Sequence, residues 1–198
     1  MFVYEKKLQY PIRIKNTNPK LAAAIISQYG GPDGELGASL RYLSQRYSMP
    51  YPELKGLLTD IGTEELGHLE MVGTIVHQLT RNLTEQQIKD AGFEAYFVDH
   101  TTGVFPQFAS GYPWSAATMQ VTGATIADLT EDLAAEQKAR VTYDNILRLS
   151  DDPDVTDAIR FLRAREIVHF QRFGEGLRLV KDRLGEKNVY YMNPSFDQ

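Results

Sequence analysis

The sequence predicts an all-α protein, a four-helix bundle built from two helical hairpins joined by one long crossover. Three observations carry this. Apolar residues recur at spacings of three and four along four long segments, the period of a helix with one buried face. The first segment is separated from the second only by "SMPYP", and the third from the fourth only by "SDDPD", breaks short enough to force antiparallel neighbours. Between the two hairpins lies a long stretch, residues 82 to 124, too long to be a simple turn.

The elements follow in chain order. A lead-in helix spans Pro19 to Tyr29 and is closed by Gly30 and Gly31. The first long helix runs from Pro32, a residue suited to a first helical turn, to Tyr47. The second runs from Pro52 to Arg81, with Leu54, Leu57, Leu58, Ile61, Leu66, Leu69, Val72, Ile75, Val76 and Leu79 recurring at three and four. The third spans Thr125 to Ser150, with Ile126, Leu129, Leu133, Val141, Ile146 and Leu149, and the fourth Asp154 to Leu184, with Val155, Ile159, Leu162, Ile167, Phe170, Phe173, Leu177 and Val180. The crossover holds a short helix in "TEQQIKDAG" and then the Gly-, Pro- and aromatic-rich "GVFPQFASGYPWSAATMQ". The two tails, "YEKKLQYPIRIKNTNP" and "KNVYYMNPSFDQ", read as arms, expected to lie on a neighbouring subunit. Residues 1 to 198 are expected to form one domain, since the length suits a single core.

Composition narrows the function. A net charge of −5 and no Lys/Arg cluster exclude a general affinity for nucleic acid. The longest apolar run, "LAAAII", falls far short of a membrane span of roughly 20 residues. The start lacks the basic-then-apolar plan of a signal peptide, so secretion by that route is not expected. The absence of cysteine excludes disulfides, thiolate metal ligands and cysteine nucleophiles.

The chemistry lies in a spacing that occurs twice. Glu65 precedes His68 by three residues, as Glu166 precedes His169, so each pair presents a carboxylate and an imidazole on one helical face. A glutamate lies thirty residues upstream of each unit, Glu35 and Glu136, on the preceding helix of the same hairpin. A tyrosine, Tyr42 or Tyr143, follows each of these two helical turns later. Every member of the second set stands 101 residues after its counterpart in the first. Two carboxylates from two helices, with Glu-x2-His from each of the others, is the donor set of a dimetal bundle. A lone Glu-x2-His is ordinarily a solvated pair. Here the apolar flanks, Leu66 and Gly67 beside His68 and Ile167, Val168 and Phe170 beside His169, predict burial, and buried carboxylates need a partner or a metal. Carboxylates and imidazoles suit Mn, Fe or Zn without choosing among them. Two ions that each change oxidation state by one handle two electrons together, which fits peroxide or dioxygen chemistry. Glu64, Glu70, Glu131 and Lys138 are assigned to rim or solvated faces, His77 and His100 to structural or exposed positions, and Trp114 to packing.

The stretches "GELGASLRYLSQRY", "LLTDIGTEELGHLEMVGTIV", "GYPWSAATMQVTGATIADLTEDLAAEQKARVTYDNIL" and "REIVHF" resemble manganese catalase, within the ferritin-like superfamily, over about residues 17 to 181. The short length and the tails resemble its spore-coat-associated CotJC type. The resemblance implies two manganese ions per chain and disproportionation of hydrogen peroxide to water and dioxygen. It implies Glu65 as the bridging carboxylate, Glu35 and His68 as further ligands of one ion, and Glu136 and His169 of the other. Glu166 is then a proton donor and acceptor beside the ions, and Tyr42 a tyrosine hydrogen-bonded near Glu35. It also implies a homohexamer, and a cytoplasmic or spore-coat location with other coat proteins as partners. Ala135 stands where some members carry arginine and Tyr143 where others carry lysine, two departures from the family pattern beside the expected metals. Two other readings stay open: a di-iron protein, as a rubrerythrin-like peroxidase or an iron-binding ferritin-like subunit, and a coat component in which the site is vestigial.

Overall fold

The computed structural model describes Glu5 and residues 7 to 184. Within them the chain is helical, with no strand beyond one isolated bridge between Gln107 and Pro113. The elements are α1 (Pro19–Gly30), α2 (Glu35–Gln45), α3 (Pro52–Thr80), α4 (Glu85–Asp90), α5 (Glu94–His100), α6 (Thr125–Leu149) and α7 (Pro153–Leu184). Helices α2 and α3 form one hairpin and α6 and α7 the other, with α4 and α5 in the crossover. This is the expected bundle.

The local signals are those the sequence carries. The Asn18 side chain accepts from Leu21 N at 3.0 Å and Pro19 opens α1. Thr84 and Gln87 form a reciprocal capping box on α4. One boundary moved. Pro32 belongs to a tight turn, and α2 starts at Glu35 behind Gly34. The turn is so close that a side chain at Gly31 or Gly34 would meet the carbonyl of Ser27. Helix α5 was not anticipated.

The described part of the N-terminal arm packs on its own bundle. Gln78 of α3 accepts from Ile14 N at 2.7 Å and donates to Ile12 O at 3.1 Å, satisfying extended backbone that has no other ladder. Ile12 and Ile14 are buried beneath it. The C-terminal arm lies outside the described residues.

Two apolar clusters fill the bundle. One includes Ile25, Met71, Ile75, Leu79, Ile159 and Leu162. The other, toward the opposite end, includes Tyr42, Leu54, Leu58, Ile61, Leu129 and Phe173. Along α3 the sequence passes from Ile61 in one cluster to Met71 in the other, and along α7 from Leu162 to Phe173. Glu65, His68, Glu166 and His169 fall in those intervals, so the bundle has a polar layer between two apolar ones.

Candidate metal centre

That layer is built from four helices. Glu35, Glu65, His68, Glu136, Glu166 and His169 are each at most 2% exposed. Ligand atoms of Glu65, His68, Glu166 and His169 all lie within 4.8 Å of one another. Glu35 Oε2 comes within 3.8 Å of His68 Nδ1, and Glu136 Oε2 within 3.6 Å of His169 Nδ1. All six predicted metal and proton-carrying residues therefore meet in one place. The histidines are buried although their apolar flanks are not: Leu66, Ile167 and Phe170 are partly exposed on the outer face. Each is one residue from a site residue, about 100° round the helix.

Glu65 and Glu166 occupy equivalent positions but different surroundings. Glu65 lies between the two rings, its Oε2 at 2.6 Å from His68 Nδ1 and its Oε1 at 2.9 Å from His169 Nδ1. Glu166 accompanies Glu35 and Glu136. Burial, followed by the charges of Glu136, Glu35 and Glu65, pushes its pKa well up. Glu35 is raised by burial and then by Glu65. Burial works against the charge on Glu65 too, but the two histidines outweigh it and hold Glu65 below the usual carboxylate range. On the imidazoles burial opposes protonation, and the Glu65 charge with other carboxylate contacts overcomes it, raising His68 to about 10 and His169 to about 12.

The donor set fits a pair of divalent cations. Four buried carboxylates in one layer demand positive charge. Glu65 Oε1, Glu136 Oε2, Glu166 Oε1 and His169 Nδ1 have no hydrogen-bond partner among the described residues. The 2.9 Å between His169 Nδ1 and Glu65 Oε1 lacks the alignment of a hydrogen bond. These atoms converge on a common space without satisfying one another, as ligands to an ion do.

The tyrosines correct the expected pairing. Tyr42 was placed near Glu35, on its own helix; its hydroxyl instead donates to Glu136 Oε1 at 2.6 Å. Tyr143 donates to Glu35 Oε1. Two turns along a helix separate each tyrosine from its own glutamate by about 10 Å. Helices α2 and α6 run antiparallel across the site, so each tyrosine meets the glutamate of the other hairpin.

Glu64 is the residue that sequence reasoning missed. It was assigned to the rim, yet its side chain is only 15% exposed, and it lies beside the Nε2 atoms of both histidines. Arg165 grips it through Nε at 2.7 Å and Nη2 at 3.1 Å, and Gln9 donates to it at 2.7 Å. Burial opposes its charge, but contacts with His169, His68, Arg165 and Gln9 keep it well below the usual carboxylate range. The signal was available: Glu64 is one helical turn before His68, and Arg165 one turn before His169.

Comparison with known proteins fits this geometry. Residues 1 to 192 match the family described as "Manganese containing catalase". The chain is 51% identical to Protein CotJC of Bacillus subtilis over 190 residues, covering 96% of this chain and 100% of that one. It is 36% identical over 191 residues to a probable manganese catalase of Clostridium acetobutylicum, covering 95% and 84% respectively. The crystal structure of KatB, a manganese catalase from Anabaena, superposes with a TM-score of 0.85 at 32% identity, covering 98% of this chain and 85% of that one. These findings favour manganese over the iron alternatives. The chain belongs to the manganese-containing catalases, its substrate is hydrogen peroxide and its cofactor is a manganese pair.

Proposed function

We propose that Glu35, Glu65, His68, Glu136 and His169 hold the two ions, with Glu65 between them, Glu35 and His68 on one, and Glu136 and His169 on the other. The observation that carries this reading is the position of Glu65, with one carboxylate oxygen toward each imidazole. When bound there, the manganese pair supplies a store for two electrons and a Lewis acid that makes peroxide easier to deprotonate.

The chain's own residues then handle protons and position. One peroxide becomes two waters and takes up two protons and two electrons; the other becomes dioxygen and releases the same number. A group beside the reacting oxygens that accepts a proton in one half and returns it in the other keeps the cycle closed. Glu166 is that group in this reading: it is buried among carboxylates, biased toward the protonated form, and its Oε1 has no other partner among the described residues. Tyr42 fixes Glu136 and Tyr143 fixes Glu35 by charge-assisted hydrogen bonds.

The test is metal content measured beside oxygen evolution from peroxide without an added reductant. The native chain is expected to hold two manganese ions and evolve oxygen. E65A is expected to lose both while keeping its helical spectrum. E166Q is expected to retain the metals and lose most turnover. An E65A chain that still carries two ions rejects the assignment.

The likeness to CotJC supports a place in a spore coat among other coat proteins. No described helix is long and apolar enough to cross a membrane. A homohexamer follows by family analogy, and light scattering of the purified protein checks it.

A further inference from the structure

Both site histidines turn Nδ1 toward Glu65 and Nε2 away from it, and on that far side stands a single carboxylate. Glu64 Oε2 is 3.0 Å from His169 Nε2, in hydrogen-bond geometry, and Glu64 Oε1 is 3.5 Å from His68 Nε2. The rings face each other at 5.5 Å. A neutral imidazole that offers Nδ1 to a cation carries its hydrogen on Nε2, and that hydrogen needs an acceptor. His68 Nε2 is buried and has no hydrogen-bond partner among the described residues, and Glu64 supplies the carboxylate beside it. Arg165 grips both oxygens of Glu64, so its plane is set by α7 while its backbone belongs to α3.

The duplication sharpens this. The offset of 101 residues that relates every ligand in one hairpin to its counterpart also relates Glu64 to Arg165. The hairpins are alike in their ligands and opposite in charge one turn before each histidine, and the two unlike residues pair with each other.

We propose that Glu64 is a positioning residue shared by both histidines, held by Arg165, which fixes the tautomer and ring plane of His68 and His169 together, so that the two metal positions are gained and lost as a pair. The inference rests on the ligand assignment proposed above.

The test is manganese binding to the folded chain, read as ions per chain after equilibrium dialysis and as the EPR signal of a coupled Mn(II) pair. E64Q keeps the shape and loses the charge. It is expected to weaken both ions about 10- to 100-fold and to remove the coupled signal at manganese levels that saturate the native chain. R165Q is expected to act in the same direction, less strongly. E64R/R165E places the carboxylate one turn before His169 instead of His68 and is expected to recover the binding that E64R alone loses. An E64Q chain that holds both ions as tightly as native, or sheds one and keeps the other, overturns the inference, as does a double variant no better than E64R. So does an E64Q chain that only melts at a lower temperature, since that marks a strut between α3 and α7. Should the native chain itself fail to take up two ions, the ligand assignment fails first and this inference with it.

Discussion

The Tyr42 hydroxyl donates to Glu136 across the bundle, and Tyr143 returns the bond to Glu35. Each hairpin therefore braces a carboxylate that belongs to the other. Y42F is expected to leave one oxygen of a fully buried carboxylate without its donor, at a cost of about 1–3 kcal/mol. Thermal melting of the metal-free chain reads this loss. Y143F is expected to cost a similar amount. The double variant is expected to depart from additivity, because both braces order the same α2–α6 interface. Additive losses would show two independent bonds.

Gly30 seats the crossover. A methyl there would stand 2.4 Å from backbone atoms of Pro106 and Gln107. Glycine to alanine within a helix ordinarily stabilises by up to about 1 kcal/mol. G30A is expected to reverse that sign and destabilise by about 1–3 kcal/mol, because the obstruction is backbone and cannot rotate aside. Chemical denaturation of G30A beside the native chain checks the sign.

The four long helices and their order were legible because each keeps a three-and-four apolar period, and the convergence of the buried glutamates and histidines was legible because Glu-x2-His recurs at equivalent places. What failed to show were relations between helices. The partner of Tyr42 depends on the antiparallel register of α2 against α6, which no spacing within α2 encodes. Glu64 read as a rim residue because rim and interior carboxylates look alike in sequence; its environment comes from Arg165 and Gln9, far away in the chain. The fastening of the N-terminal arm to Gln78 was not legible because it runs through backbone atoms, which carry no sequence signature.

The metal-free site carries protons where the loaded site carries cations. With His68 raised to about 10 and His169 to about 12, both imidazoles are protonated at neutral pH before metal enters, and must be neutral once they are ligands. Manganese uptake is thus expected to release protons and to tighten as pH rises from 6 to 8. Each proton released adds about a tenfold change in affinity per pH unit. Titrations at both pH values, with calorimetry in buffers of different ionisation enthalpy, measure the number. Affinity that is flat across this range would contradict protonated imidazoles in the metal-free chain.

The arm contributes stability to its own subunit. Ile14 is 1% exposed beneath the backbone that Gln78 and Arg81 hold. Ile14→Ala is expected to cost about 2–5 kcal/mol, a core-sized loss from a segment without regular secondary structure. If the arm were loosely held, the melting temperature would barely change.

The proposed ligands are spread from Glu35 to His169, and the two tyrosine braces run between hairpins. A ribosome that has released the first hairpin has exposed three carboxylate or imidazole donors, with nothing to hold Glu35 in place and no second imidazole opposite Glu65. On the proposed ligand assignment the first hairpin alone holds only part of the donor set, and the two metal positions are complete only once both halves have docked.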